Sequence, residues 1–122
     1  MDRYTILVVE DDPVIRTQLQ TLLQGAGYNT ASPADFFDVA GQVQRIQPHL
    51  VLLDLTLPGE SGFNICSAIR AVSGLPVIVV TSSDTEMDEL NSLLLGADAF
   101  VTKPYNTAIL LAKIAVLLRR AY

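Results

Sequence analysis

Four stretches of this chain end in side chains that can do chemistry. Leu50 to Asp54 runs four apolar residues and then an acid. Thr5 to Val9 is apolar and is followed by Glu10-Asp11-Asp12. Val77 to Val80 is followed by Thr81-Ser82-Ser83, and Ala99 to Thr102 by Lys103-Pro104. Short continuous apolar runs read as strands buried on both faces of a parallel sheet. In such sheets ligands sit beyond the carboxyl ends of the strands. Taken singly, Asp54 is a surface acid, Thr81 a cap and Lys103 a surface charge. Four tips at one sheet edge change that reading, because they bring a carboxylate, further acids, a hydroxyl and an ammonium together.

The acids point to a cation. Neighbouring parallel strands lie under ~5 Å apart, so Glu10 and Asp11 should converge on Asp54. Two carboxylates ~4 Å apart repel by about 4 kcal/mol at an effective dielectric near 20. A hard divalent ion, Mg²⁺ or Mn²⁺, suits carboxylate oxygens with room for water. Asp12 is read instead as the cap of the helix that Pro13 opens. Asp54 as nucleophile, a metal, Thr81 and Lys103 together make the set that phosphoryl transfer to a carboxylate requires: in-line attack, with charge on the phosphoryl oxygens neutralised from several sides. A cis Lys103-Pro104 bond would fix the direction of the lysine.

These tips need a rigid frame, and the chain supplies one. Strand and helix signals alternate five times. Helices are expected from Pro13 to the Gly25-Ala26-Gly27 stop, and around Phe36, Phe37, Val39, Ala40, Val43 and Ile46. Others carry Phe63, Cys66 and Ile69, or Met87, Leu90, Leu93 and Leu94 with Asp84 as cap, and the last runs from Ile109 to Leu118. A weak second strand covers Tyr28 to Ala31, and Pro58 to Gly62 is loop chemistry. Strict alternation with short connections predicts an α/β fold: a doubly wound, five-stranded parallel sheet of order 2-1-3-4-5 with five helices.

Composition agrees. With 122 residues there is room for one domain, residues 1–122. Half the residues are hydrophobic, which argues against disorder. Eight basic against thirteen acidic residues give a net charge of −5, so direct nucleic-acid binding by this domain is not expected. One cysteine, Cys66, allows no internal disulfide and fits a reducing, cytoplasmic setting; on its helix it reads as packing. No apolar run is long enough for a membrane span, and no signal peptide is expected. His49 reads as a surface residue and Tyr105 as a half-buried wedge. Leu93-Leu94-Leu95 cannot all face one core, so at least one is a candidate partner contact.

The ordered set resembles the receiver domain of two-component response regulators, over the whole chain. Glu10-Asp11 match the acidic pair and Asp54 the phosphorylated aspartate. Leu57-Pro58 and Gly62 match the loop behind it. Thr81 matches the switch hydroxyl, Phe100 the switch aromatic, and Lys103-Pro104 the lysine–proline pair. The resemblance implies Mg²⁺ held by Asp11, Asp54 and the backbone carbonyl of Thr56, with Glu10 acting through water. It implies a phosphohistidine donor on a sensor histidine kinase or phosphotransfer protein. It also implies an output face formed by helix 4, strand 5 and helix 5, often a homodimer contact. Arg119-Arg120 look like the end of receivers that continue into a winged-helix DNA-binding domain, so transcription control is the expected output. The alternative is a stand-alone receiver acting by protein–protein contact or phosphorelay.

On the output face this chain departs from the pattern. Glu89 stands where a base is expected, Ile109 where its acidic partner is, and Ala99 where an acid should oppose Lys113. Asp98 and Arg120 keep the expected signs. The face should therefore be more apolar than usual, built on Ile109 and one or more of Leu93 to Leu95.

Other classes fit less well. A flavodoxin would need its first loop to cradle a phosphate, which Glu10-Asp11-Asp12 would repel. A haloacid-dehalogenase-type phosphatase needs a second aspartate two residues after the first, and Thr56 stands there. The chain should hold a phosphoryl group as a signal, with slow self-hydrolysis, rather than turn over a substrate. A degenerate receiver used only for binding would not keep every phosphorylation residue.

Overall fold

The computed structural model describes residues 3–57, 59–82 and 85–122. Five strands form one parallel sheet: β1 (Thr5–Val9), β2 (Asn29–Ala31), β3 (Leu50–Leu53), β4 (Val77–Thr81) and β5 (Ala99–Thr102), in the order 2-1-3-4-5. The helices are α1 (Pro13–Gly25), α2 (Val39–Ile46), α3 (Gly62–Val72), α4 (Glu86–Leu94) and α5 (Thr107–Ala121). The fold class and strand order expected from the sequence are those observed.

Alternate residues of the central strands feed opposite layers, as the two-residue period of a strand requires. Leu7, Val9, Val51, Leu53, Val77 and Val79 pack with α2 and α3. Ile6, Val8, Leu50, Leu52, Ile78 and Val80 pack with α1 and α5. All four residues of β3 are buried. That double burial holds the sheet rigid and places the strand ends.

Local signals set most helix limits. Asp12 caps α1, its Oδ1 accepting from the Val14 and Ile15 amides at 2.8 and 3.2 Å. Gly27, at φ +98°, ends the turn that follows. Two helices differ from expectation. α2 begins at Val39 behind the Asp38 cap. Asp35 and Asp38 each accept a nearby backbone amide, from Phe37 and Gly41, so the chain turns before the helix starts. Phe36 is half-buried against the core and Phe37 is exposed. In α4 the cap is Thr85, whose hydroxyl accepts from the Asp88 amide at 3.1 Å; Asp84 lies outside the described residues. The apolar residues of α4 face solvent rather than the core, and only Ser92 is buried.

The loop after β3 is more ordered than its composition suggested. Thr56–Leu57 pair antiparallel with Glu60–Ser61, and Pro58 between them lies outside the described residues. The pairing folds the chain back so that Gly62 opens α3 against the backbone after Asp54. A Cβ on Gly62 would run into the Leu55 Cα and the Asp54 carbonyl oxygen. Gly62→Ala should therefore cost about 2 kcal/mol by overpacking. Urea unfolding measures this, and an unchanged midpoint would show that the loop gives way freely.

Candidate functional site

Sheet register builds the site. Val9 pairs with Leu53, so the next residues, Glu10 and Asp54, emerge side by side. The Asp54 amide donates to the Val9 carbonyl at 3.1 Å and extends that pairing by one residue. Thr81 pairs with Thr102, and the Lys103 amide donates to the Thr81 carbonyl at 2.8 Å. Lys103 thus leaves β5 beside the end of β4, and its bond to Pro104 is cis.

Three of the expected residues meet directly. Lys103 Nζ lies 2.9 Å from Asp54 Oδ2 and 3.4 Å from Glu10 Oε1. Asp54 Oδ1 accepts from the Thr56 amide at 3.0 Å. Glu10 is 4% exposed and Asp54 8%, so one ammonium faces two buried carboxylates. Thr81 is wholly buried at the end of β4. Phe100 is half-buried against the α2–α3 layer of the core. Asp11 is exposed at the mouth, and the Thr56 side chain is exposed.

The two carboxylates divide their roles. Burial, then the hydrogen bond and charge of Asp54, push the Glu10 carboxyl up to about 7. Burial also works against a charge on Asp54. Hydrogen bonds from Glu10, the Thr56 amide and Lys103 outweigh it and hold Asp54 below the ordinary carboxylate range. Lys103 is disfavoured by burial too, but its two acid partners hold it above the usual lysine range. The site therefore presents one ionised carboxylate, clasped by an ammonium, beside one that carries a proton more readily.

This excess of carboxylate over cation suits a further positive charge. Carboxylate and backbone carbonyl oxygens are the donors that Mg²⁺ takes, with several waters retained. Among the described residues no three acidic, histidine or cysteine side chains are gathered closely enough to form a finished metal cluster. Glu10 and Asp54 are in place; Asp11 stands outside them.

A family profile described as the response regulator receiver domain matches residues 6–115. This chain belongs to that family. The receiver is 40% identical over 118 residues to the DNA-binding response regulator MtrA of Mycolicibacterium smegmatis, covering 97% of this chain and 52% of MtrA. It is 41% identical over 116 residues to the sensory transduction protein RegX3 of Mycobacterium tuberculosis, covering 95% and 51%. The chain thus spans about half the length of the curated relatives it matches. The beryllofluoride-activated receiver domain of Klebsiella pneumoniae RstA is similar with a TM-score of 0.89 and 32% identity, covering 94% of this chain and 98% of that one. As a receiver, the chain is a signalling domain of two-component systems. No helix among its described residues is long and apolar enough to cross a membrane.

Sequence reasoning missed Arg16. Its Nη1 donates to the Glu10 carbonyl at 3.0 Å and ties the acidic loop to α1. The signal available was a single cation on α1, six residues after Glu10. His49 also departs from expectation: it is half-buried, Nδ1 accepts from the Thr5 amide at 2.9 Å, and its ring packs edge-on to Tyr4 and Tyr122. Cys66 is buried and Tyr105 half-buried, as expected.

The shifts set a pH dependence. A Glu10 carboxyl at about 7 in the native state, against 4.5 unfolded, means the native state binds more protons between those values. Its effect on stability becomes unfavourable as pH rises through that window. Asp54 has the opposite sign: its contribution is present above the ordinary aspartate range and is lost as pH falls below it. In metal-free buffer, Glu10→Gln should exceed the parent in stability at pH 8 by up to about 3 kcal/mol, and match it at pH ~4, below the unfolded value. Urea unfolding in EDTA at both pH values checks this, and equal stabilities at both would show that Glu10 is ionised without strain.

Proposed function

We propose that Asp54 accepts a phosphoryl group from a phosphohistidine on a sensor histidine kinase or phosphotransfer protein. A carboxylate oxygen of Asp54 attacks phosphorus in line, the P–N bond breaks, and the imidazole leaves and is reprotonated. The observation that carries this reading is the 2.9 Å Lys103–Asp54 pair, in which a buried carboxylate is kept ionised beside a carboxyl pushed up to about 7. Lys103 is placed to neutralise the phosphoryl oxygens as they arrive. Asp11, Asp54 and the Thr56 carbonyl would hold Mg²⁺, or Mn²⁺, with Glu10 acting through water. When bound, the cation supplies positive charge to the carboxylates and the phosphoryl oxygens.

Phosphorylation adds roughly −1.5 to −2 charge at Asp54. Thr81 and Lys103 are drawn towards it, and Phe100 turns inward to fill the space that Thr81 leaves beneath β5. Phe100 has no hydroxyl, so ring burial alone favours the inward position. The face of α4, β5 and α5 then passes the signal on, as a homodimer contact or to another protein. We take the setting as cytoplasmic, residues 1–122 as the receiver, and the output as transcription. MtrA, named as DNA-binding, supports that last step.

Incubation with acetyl phosphate and Mg²⁺ should add one phosphoryl group by intact mass, and Asp54→Asn should abolish the gain. Full uptake by Asp54→Asn would place the acceptor elsewhere. With beryllofluoride and Mg²⁺ bound, Thr81 should move towards Asp54 and Phe100 inward. A crystal structure of that complex with both unmoved would rule out this switch.

A further inference from the structure

The end of the sheet that carries Asp54 also carries an apolar feature that neither the core nor the site uses. Phe37 is 91% exposed, the most of any large hydrophobic among the described residues. A single exposed apolar side chain is ordinary, but the setting of this one is not. Phe37 stands in the turn before α2, and that turn is pinned from within. Gln42 of α2 is buried, 7% exposed. Its Oε1 accepts from the Ala34 amide at 2.7 Å, and its Nε2 donates to the Asp35 carbonyl at 2.9 Å. Asp35 Oδ1 accepts from the Phe37 amide at 3.0 Å, and Asp38 caps the helix that follows. The backbone that carries Phe37 is therefore fixed in advance, so a contact made by its ring loses little backbone entropy. Beside it a hollow of about 180 Å³ opens between the starts of α2 and α3, walled by Phe36, Phe37, Ala40, Asn64, Ile65 and Ala68. An exposed aromatic ring held rigid next to an apolar hollow has the make-up of a binding hot spot.

Position says which partner fits. α2 and α3 both begin beyond the carboxyl ends of strands, the end where Asp54 lies. Gly62, the first residue of α3, packs on the Asp54 carbonyl oxygen. Asn64 and Ile65 come two and three residues later, a rise of about 3 to 5 Å along the helix. The hollow thus borders the mouth of the site. A specific protein contact covers about 800 Å² per partner, a disc of about 16 Å radius, so a protein centred on Asp54 reaches the hollow. Asp35 and Asp38 flank Phe37 in the chain and both are exposed. The complementary surface is therefore basic around an apolar centre. We infer that Phe37 and the α2–α3 hollow dock the phosphodonor protein, with the ring entering an apolar recess of the donor and a donor side chain entering the hollow. Phe37 is a specificity residue: it selects the protein donor and takes no part in the transfer itself. The docking surface shares no residue with the face of α4, β5 and α5. The inference rests on Asp54 as the acceptor.

The test compares two routes to the same aspartate. Acetyl phosphate needs no docking surface. The protein probes are the purified cores of the sensor histidine kinases encoded in the source genome, each labelled on histidine with ATP. The core that labels the parent fastest is used throughout. Phe37→Ser removes the ring, Phe37→Leu keeps an apolar side chain, and Ala68→Trp fills the hollow. Phe37 and Ala68 are exposed, so thermal melts should match the parent. Phe37→Ser and Ala68→Trp should each lower kcat/KM for transfer from the kinase core by about tenfold or more, mainly through KM, and Phe37→Leu by less than about threefold. All three should take up phosphoryl from acetyl phosphate at the parent rate. Transfer from the kinase core at the parent rate by Phe37→Ser or by Ala68→Trp, or a loss of both routes together, would overturn the proposal. So would a parent that accepts from acetyl phosphate and from none of the cores. Sedimentation adds a further check: a dimer of the parent that Phe37→Ser abolishes would assign the hollow to a second copy instead. A parent labelled by neither route marks a failure of the Asp54 reading, and this inference falls with it.

Discussion

One ammonium shared by two buried carboxylates is the constraint on which the site depends. Glu10 and Asp54 leave adjacent strands at the same level, and burial makes their mutual repulsion expensive. The protein meets this in two ways. Lys103 is brought across from β5 to within 2.9 Å of Asp54, and Glu10 is kept ready to hold a proton. Both leave Asp54 ionised in a setting where a carboxylate would otherwise be neutral. A carboxylate held so fits the acceptor role proposed for Asp54, and two carboxylates to one ammonium fit the cation proposed beside it.

Nothing in that arrangement works without the sheet. Glu10, Asp54 and Lys103 are far apart in sequence, and apart from the Thr56 amide on Asp54 the hydrogen bonds and ion pairs that join their side chains cross between strand ends. Their meeting follows from the parallel register of β1, β3, β4 and β5, and that register is imposed by burial on both faces. A slip of one residue would exchange the layers into which every core side chain points. The same packing that stabilises the domain therefore sets the geometry of the site, with Arg16 and the Thr56 amide making smaller adjustments.

The far edge of the sheet is held differently. α4 buries only Ser92, and its C-terminal end is fastened from α3. The Arg70 guanidinium donates to the Gly96 and Leu75 carbonyls and pairs with Asp98 at 3.0 Å. The φ of +111° at Gly96, and the place its missing Cβ would take against Arg70, fit this clasp closely. Asp98, which also accepts from the Val77 amide at 2.8 Å, is engaged within its own chain. A helix tied at one end, with its leucines outward, is suited to form contacts beyond the domain.

The sequence by itself determined the layered fold and the tips where chemistry gathers. Those depend on signals local to each segment: apolar runs of strand length, the Asp12-Pro13 start, the glycines after α1, and polar residues at strand ends. It also carried the oddity of Leu93 to Leu95 and Ile109, because too many apolar residues on one helix is a property of composition. Only the tertiary structure decided which acids share the lysine. The sequence resemblance assigns to Asp11 the direct metal contact and to Glu10 one through water, yet it is Glu10 that is buried against Lys103, while Asp11 is exposed. It decided, too, that α2 starts after Phe37 and that His49 caps β1 rather than facing water. Arg70 and Asp98 lie 28 residues apart, and no spacing announces their pairing. Each of these outcomes depends on which groups meet across elements, and the free energy of such meetings is set by burial and distance that a linear pattern does not contain.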